Sequence, residues 1–434
     1  MGRHLIIISV DALVYEDLLH REELPNIGRL LEEGALIKHV KTIYPALTHP
    51  VHATVLTGCA AGKTGIVNNT FFEAGKEPRP WFNSLQDIRV RTILHAAHEQ
   101  GLSVCACRWP VTAHGEDVID YLVPEVMGLD MQGHEDDPAS VYRMLGTQEC
   151  LMDIIEEALR RYGWKNEHPL YDAFETFCAC EIIRRYQPEL MFIHSGYVDG
   201  ERHRTGLFTD YVRQAVCQSD AWIGEILNAV KDAGIEDSTD VVIMSDHGQL
   251  AITRVICPNV FLRDQGLIRT DEKGSLLTWD AYVAGAGLSG QVYLSRPEDP
   301  ELNARVYKLL TEMAEEGIYG ISEVLTKEEM RKRYGLYGDF SFAIETDGFT
   351  SFSEALARPA VRPLDTSDYR YGHATHGHMP EKGPQPPFIG AGPSFRKGVV
   401  VEEGNILNHA PTFARILGLE LPDAEGKAVE EILS

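Results

Sequence analysis

Short, nearly all-apolar runs alternate along this chain with longer stretches of helical period. That alternation is the pattern of a mainly parallel sheet covered by helices on both faces. Residues 4–10 read as a buried strand, 25–33 as a helix closed by Gly34, and 36–43 as the next strand. The stretch 84–100 opens on a Ser-x-x-Asp cap and ends at Gly101, which predicts one helix before a strand over 102–109. Helical periods run over 144–162, 170–186 and 209–233, with buried strands at 189–194 and 240–244. After about residue 252 the texture changes to shorter strands, 291–294 and 340–345, around one clear helix at 301–316. A strand at 388–390 and a helix at 411–417 read as a return to the main sheet. The expected architecture is an α/β core over 1–251 and 366–434, with a small inserted α+β cap subdomain over 252–365.

With 434 residues, 44% hydrophobic and 24% charged, the chain has the composition of a globular protein. No run approaches the ~20 apolar residues that cross a bilayer, so no membrane partner is expected. The apolar run at residues 5–10 comes with no signal-type segment ahead of it, which reads as a cytoplasmic protein. The eight scattered cysteines read as reduced, mostly buried thiols. A formal net charge of −25 argues against a nucleic acid polymer as partner. A small anionic substrate remains open, provided that a local cationic site exists, and bound metal ions supply one.

Potential metal ligands follow the strand ends, where open α/β sheets place their sites. Asp11 follows Ile6-Ile7-Ile8-Ser9-Val10, although an aspartate there also suits a turn or helix cap. Asp246-His247 follows the strand at 240–244, and a charged pair abutting four apolar residues is costly unless something neutralises it. Asp199 and His203 have the spacing that brings two side chains to one ion across a helical turn; a capping aspartate and a surface histidine have it too. His373, His376 and His378 crowd one glycine-containing loop. Thr48 stands at the start of a predicted helix ended by Gly58, where threonine is also a common N-cap. Its hydroxyl becomes a competent nucleophile only with a base or metal beside it, and the helix amides favour a phosphate there.

Together these motifs resemble the alkaline phosphatase superfamily, and most closely its type I phosphodiesterase/nucleotide pyrophosphatase family. The resemblance rests on Ser9-Val10-Asp11, Pro25-Asn26, Tyr44-Pro45 through Thr57-Gly58, Gly65-Ile66 with Asn68-Asn69, Asp199 with His203, Ser245-Asp246-His247-Gly248, His376-Gly377 and the closing Ala410-Pro411-Thr412 with Leu417-Gly418, in that order. It implies two divalent ions, zinc first among them, with Asp11, Thr48, Asp246 and His247 around one and Asp199, His203 and His376 around the other. It also implies hydrolysis of phosphate diesters or nucleotide pyrophosphates through a covalent phospho-threonine at Thr48, resolved by a metal-activated water. One departure stands out: Val51 occupies a position where many relatives carry an asparagine that binds the phosphoryl oxygen, which leaves His49, His52, Asn68 and Asn69 as substitutes. Phe71, Phe72 and Trp81 read either as core or as a stacking wall.

Competing readings use nearly the same ligands. A phosphonate hydrolase is one. A phosphomonoesterase needs a further cationic group, and none is identifiable. A sulfatase would present Cys or Ser in place of Thr48, and a phosphomutase a larger insertion. A non-catalytic metal-binding homologue would have no need to keep competent residues at every ligand and nucleophile position.

Overall fold

A computed structural model describes residues 4–164 and 167–434. His4–Val10 turns Leu5 and Ile7 to one side of the sheet and Ile6, Ile8 and Val10 to the other, and all five are buried. Such a strand has no solvent face and belongs in the middle of a covered sheet. It lies there, in an eight-stranded sheet ordered Val400–Asn405, Ala35–Lys41, Phe388–Ala391, Thr239–Met244, His4–Val10, Leu190–Ser195, Val104–Cys107, Tyr121–Val123. Phe388–Ala391 runs antiparallel to both neighbours, and the other pairings are parallel. Ile6 and Ile8 share one core with the helices Met152–Tyr162, Leu170–Tyr186 and Asp210–Asp232, while Leu5 and Ile7 share another with Thr48–Thr57, Ile93–Glu99 and His409–Leu417. The expected α/β class is the observed one.

The central trio has a direct consequence for chemistry. Thr239–Met244, His4–Val10 and Leu190–Ser195 are adjacent and parallel, with Ser9 level with both Met244 and His194. Strands so paired lie ~4.8 Å apart, so the residues just past their carboxyl ends emerge side by side.

Two predicted helices are broken in the structure. Over 84–100 the Ser84–Asp87 cap closes a separate short turn, Leu85–Asp87, and the chain leaves it extended at Ile88. Thr92 then opens a new helix, Ile93–Glu99. Over 144–162 Gly146 sits at φ +103°, which ends Pro138–Met144 before Met152–Tyr162 begins.

A second, antiparallel sheet of four strands, Ala281–Gly285, Ser289–Leu294, Phe342–Thr346 and Ile321–Thr326, packs beneath the helix Pro300–Glu316 around its own core. It meets the main body through side-chain contacts, such as Gln291 Nε2–H to the Val67 carbonyl at 2.6 Å, and along a backbone seam. There Leu288 N–H donates to the His376 carbonyl at 3.0 Å and Ser289 Oγ–H to the Gly377 carbonyl at 2.6 Å. All eight cysteines are free thiols, buried except for exposed Cys150 and half-buried Cys217. Among the described residues, no helix is long and apolar enough to cross a membrane.

Candidate active site

The three central strand ends deliver Asp11, Asp199 and the pair Asp246-His247 to one place. Asp199 and His203 lie one turn apart on the helix Tyr197–Thr205, which starts right after Leu190–Ser195. His376 arrives from the opposite direction, just past Ala374–Thr375, whose short ladder with Leu250–Ala251 fixes the loop. Two donor groups result, Asp199 with His203 and His376, and Asp11 with Asp199 and His247, each with its ligand atoms within 4.8 Å of one another. Asp246 Oδ2 lies 3.1 Å from His247 Nε2, and Asp11 Oδ1 lies 3.7 Å from that nitrogen. His203 Nε2 is 3.0 Å from Asp199 Oδ2, and His376 Nε2 is 3.8 Å from Asp199 Oδ1.

The donor set fits divalent metal ions. Asp11 Oδ1, Asp246 Oδ2 and His203 Nε2 are buried and accept or donate no hydrogen bond, a costly state for polar atoms unless a ligand completes them. Several of the other atoms are held from outside, as ligating groups require, while His247 Nδ1 and His376 Nδ1 have no partner among the described residues. His203 Nδ1–H donates to the Ala374 carbonyl at 2.8 Å, which leaves the Nε2 lone pair facing inward. Ala12 N–H donates to Asp246 Oδ1 at 3.2 Å, and Gln249 Nε2–H to Asp199 Oδ1 at 2.5 Å.

Electrostatics points the same way. Burial and the neighbouring Asp246 and Asp199 carboxylates push Asp11 well above the usual carboxylate range, and burial raises Asp246 as well. Burial opposes ionisation of Asp199 too, but His203 and His376 outweigh it and hold this carboxyl well down. Burial also drives the His247 imidazole down to about 3 and His376 far below its ordinary value, so both rings are neutral and their nitrogens free to ligate.

Thr48 is the first residue of the helix Thr48–Thr57, and its Oγ1 stands 3.3 Å from His247 Nε2. The two faces of this helix explain the fate of the neighbouring candidates. Val51 is fully buried and packs into the core, so position 51 does not face the pocket. His52 is also buried, behind Thr48: its Nδ1–H donates to the Thr48 carbonyl at 2.8 Å, and Ser9 Oγ–H donates to its Nε2 at 3.0 Å. Asn68 Nδ2–H is spent on Gln291 Oε1 at 3.2 Å. His49 and Asn69, by contrast, line the cavity of about 700 Å³ that holds Thr48, Asp11, Asp199, His203 and His376. Asn69 Oδ1 accepts from His49 N–H at 3.1 Å. Of the aromatics, Phe72 stacks on Tyr293 at 3.6 Å in the core and Phe71 on Phe82 at 3.8 Å, while Trp81 lines the cavity, 4.9 Å from the His49 ring.

Sequence reasoning missed several residues of this cavity. His194, one residue before the end of Leu190–Ser195, has Nε2 3.5 Å from Asp11 Oδ2. A histidine closing an apolar strand beside Asp11 was the available signal. Arg108, Glu125 and His168 also line the cavity, and no local motif marks them. Arg108 is buried at φ +52°, with Nη1 3.3 Å from Asp172 Oδ1 and 3.6 Å from Glu175 Oε2.

Comparison with known proteins agrees with this geometry. The solved structure of murine ectonucleotide pyrophosphatase/phosphodiesterase 5 superposes with a TM-score of 0.68 at 18% identity over the whole of both chains, and its inactive threonine-to-alanine variant in complex with AMP with 0.67 at 17%. That likeness places the fold. The sequence profile described as type I phosphodiesterase/nucleotide pyrophosphatase matches residues 5–377, and the chain belongs to that family of hydrolases. Curated relatives include a bis(5′-adenosyl)-triphosphatase of Mus musculus, 24% identical over 254 residues (56% of this chain, 46% of that protein). The corresponding protein of Pongo abelii is 23% identical over 429 residues, 96% of this chain and 78% of its own length. Against the first of these relatives the chain spans about half of their length.

Proposed function

We propose that this protein hydrolyses phosphate diesters or nucleotide pyrophosphates, with Thr48 as nucleophile between two divalent ions, most simply zinc. One observation carries the reading: a threonine hydroxyl at a helix N-terminus lies 3.3 Å from His247, beside two groups of donors whose buried atoms want partners. Asp11, Asp246, His247 and Thr48 would hold one ion and Asp199, His203 and His376 the other, a mix of carboxylate and imidazole that suits zinc. When bound, such ions lower the charge on the reacting phosphate and acidify hydroxyls.

The chain's own groups supply the rest. Thr48 Oγ1 attacks phosphorus in line, and the first amides of Thr48–Thr57 face the anion. Because Asn69 Oδ1 is engaged by His49 N–H, its amide N–H is the donor left for a phosphoryl oxygen, which fills the role that Val51 does not. His52 fixes the Thr48 carbonyl and so the pitch of the helix start. The relatives named bis(5′-adenosyl)-triphosphatase and the AMP held by the related structure support a nucleotide-type phosphoester as substrate.

The engagement of Arg108 argues against a monoesterase. A doubly charged phosphate needs an uncommitted cation, and this guanidinium is already engaged by Asp172, Glu175 and Glu125. Turnover of bis-p-nitrophenyl phosphate against p-nitrophenyl phosphate, with zinc present, tests the reading. The diester is expected to be the better substrate, and a strong monoester preference would overturn it.

A further inference from the structure

Asp172 lies on the helix Leu170–Tyr186, outside every motif used so far, and it is completely buried. Its Oδ1 accepts from Gly196 N–H at 2.8 Å, Ser195 Oγ–H at 3.1 Å and Arg108 Nη1–H at 3.3 Å. Its Oδ2 accepts from His168 Nδ1–H at 2.5 Å. Burial works against its ionisation, yet His168, Arg108 and the Gly196 amide hold the carboxyl down to about 2. A carboxylate so fully saturated fixes the tautomer and orientation of the imidazole it binds, and the other ring nitrogen is left for work.

The ring borders the active-site cavity. His168 lines it, its side chain is 27% exposed, and among the described residues Nε2 has no partner. The ring lies flat against two glycines that bracket the start of the helix carrying Asp199. A Cβ on Gly196 would stand 2.9 Å from His168 Cε1, and one on Gly200 2.9 Å from Cδ2. The backbone beside Asp199 is thus bare where the imidazole rests on it.

The position has a side. Thr48 abuts His247, and in-line displacement puts the departing oxygen across phosphorus from the attacking one. Thr48 and His168 border the same cavity, Thr48 beside His247 and His168 against the glycines on either side of Asp199. We propose that His168, held by Asp172, is the general acid–base of this site, serving the leaving-group oxygen. As the Thr48 Oγ1–P bond forms and the P–O bond to the leaving group breaks, the His168 Nε2 proton passes to the departing alkoxide, which leaves as an alcohol. In the second step water attacks phosphorus, its proton returns to His168 Nε2, and the P–Oγ1 bond of Thr48 breaks. Asp172 acts as a positioning residue, through His168.

This inference rests on the phosphodiesterase reading, and its test separates the two. A series of methyl phosphodiesters is used in which only the leaving group varies, from p-nitrophenol through phenol to a simple alcohol. The more basic the departing oxygen, the more it needs the proton. In kcat/KM, which reports the first step and not the later attack of water, His168→Gln is expected to lose no more than about threefold on the p-nitrophenyl ester and roughly 10²–10⁴-fold on the alkyl ester, a typical contribution of general acid catalysis. Bound metal should be unchanged. In His168→Ala, added imidazole should restore turnover of the alkyl ester selectively. A loss of the same factor across the series, or a loss that follows metal content, overturns the general-acid role and leaves the phosphodiesterase reading intact. Inactivity of the wild type on every member overturns both.

Discussion

Thr48 presents one hydroxyl to His247 and one carbonyl to His52, so its side chain and its backbone are held by different partners. Thr48→Ala removes the first contact and leaves the second. It is expected to abolish turnover while zinc content and melting temperature stay near wild type; near-normal rates in that variant would eliminate Thr48 as nucleophile. Asn69→Ala keeps the nucleophile and removes an amide donor, and is expected to lower kcat by about 10²–10³-fold, the scale of a lost oxyanion donor. An unchanged kcat with altered KM would assign Asn69 to ground-state binding instead. At this scale the sequence was most readable where chemistry is local. Asp11, Asp246-His247 and the Asp199/His203 turn each sit just past an apolar strand, and their spacing announces them. Arg108 and Glu125 were not readable, because what makes them part of the cavity is contact with residues far away in the chain, Asp172 and His49; His168 has Asp172 only four residues on, but it meets the site against distant Gly196 and Gly200. Position 51 misled for a related reason: a residue three beyond Thr48 on a helix is set by which face packs inward, and Val51 packs inward.

At the scale of elements, the loop carrying His376 depends on a glycine. Gly377 adopts φ +96°, and a Cβ there would fall 1.8 Å from the Ala286 carbonyl oxygen. No side chain fits without parting the loop from the antiparallel sheet. Gly377→Ala is therefore expected to displace His376 and lower bound metal toward one ion per chain, read by metal analysis; full loading in a folded variant would show that the seam can yield. Helix ends carry the converse lesson about legibility. Thr209 does cap Asp210–Asp232, since its side chain accepts from Val212 N–H. The Ser84 cap is equally real but closes only a short turn, because the chain turns extended at Ile88 and a second cap at Thr92 restarts it. A cap in the sequence fixes where a helix begins and says nothing of how far it runs.

For the whole molecule, three carboxylates meeting in one buried place set the balance of charge. Divalent ions that bind the folded chain but not the unfolded one stabilise by mass action, about 4 kcal/mol at a thousandfold excess over Kd. Chelation is expected to lower the melting temperature and added zinc to restore it, and identical melting curves would count against a metal centre. A second titratable group acts outside that cluster, on the loop that carries His376, where Glu345 Oε1 accepts from Met379 N–H at 3.1 Å. Burial pushes Glu345 up to about 7, against the pull of Lys382, whose Nζ is 2.9 Å away. The folded state therefore holds this proton more tightly than the unfolded chain, where the carboxyl titrates at about 4.5. Its contribution to stability is present at low pH and is lost as pH rises through about 7. Glu345→Gln, measured by denaturant titration of the zinc-loaded protein, should gain about 1–2 kcal/mol over wild type at pH 8 and much less at pH 5. A difference that ignores pH would sink the assignment. The order of strands in the main sheet was beyond the sequence, since alternation of apolar runs predicts a covered sheet but not that Phe388–Ala391 would enter it reversed.

The hydrogen bond from Leu288 to the His376 carbonyl ties the loop carrying His376 to a sheet that, among the described residues, contributes none to the cluster of candidate ligands. Such a joint makes the two parts heritable only as a matched pair. A chain that exchanged its smaller sheet for another would have to find a new backbone partner for residues 376–377, or give up the geometry of its histidine along with the sheet.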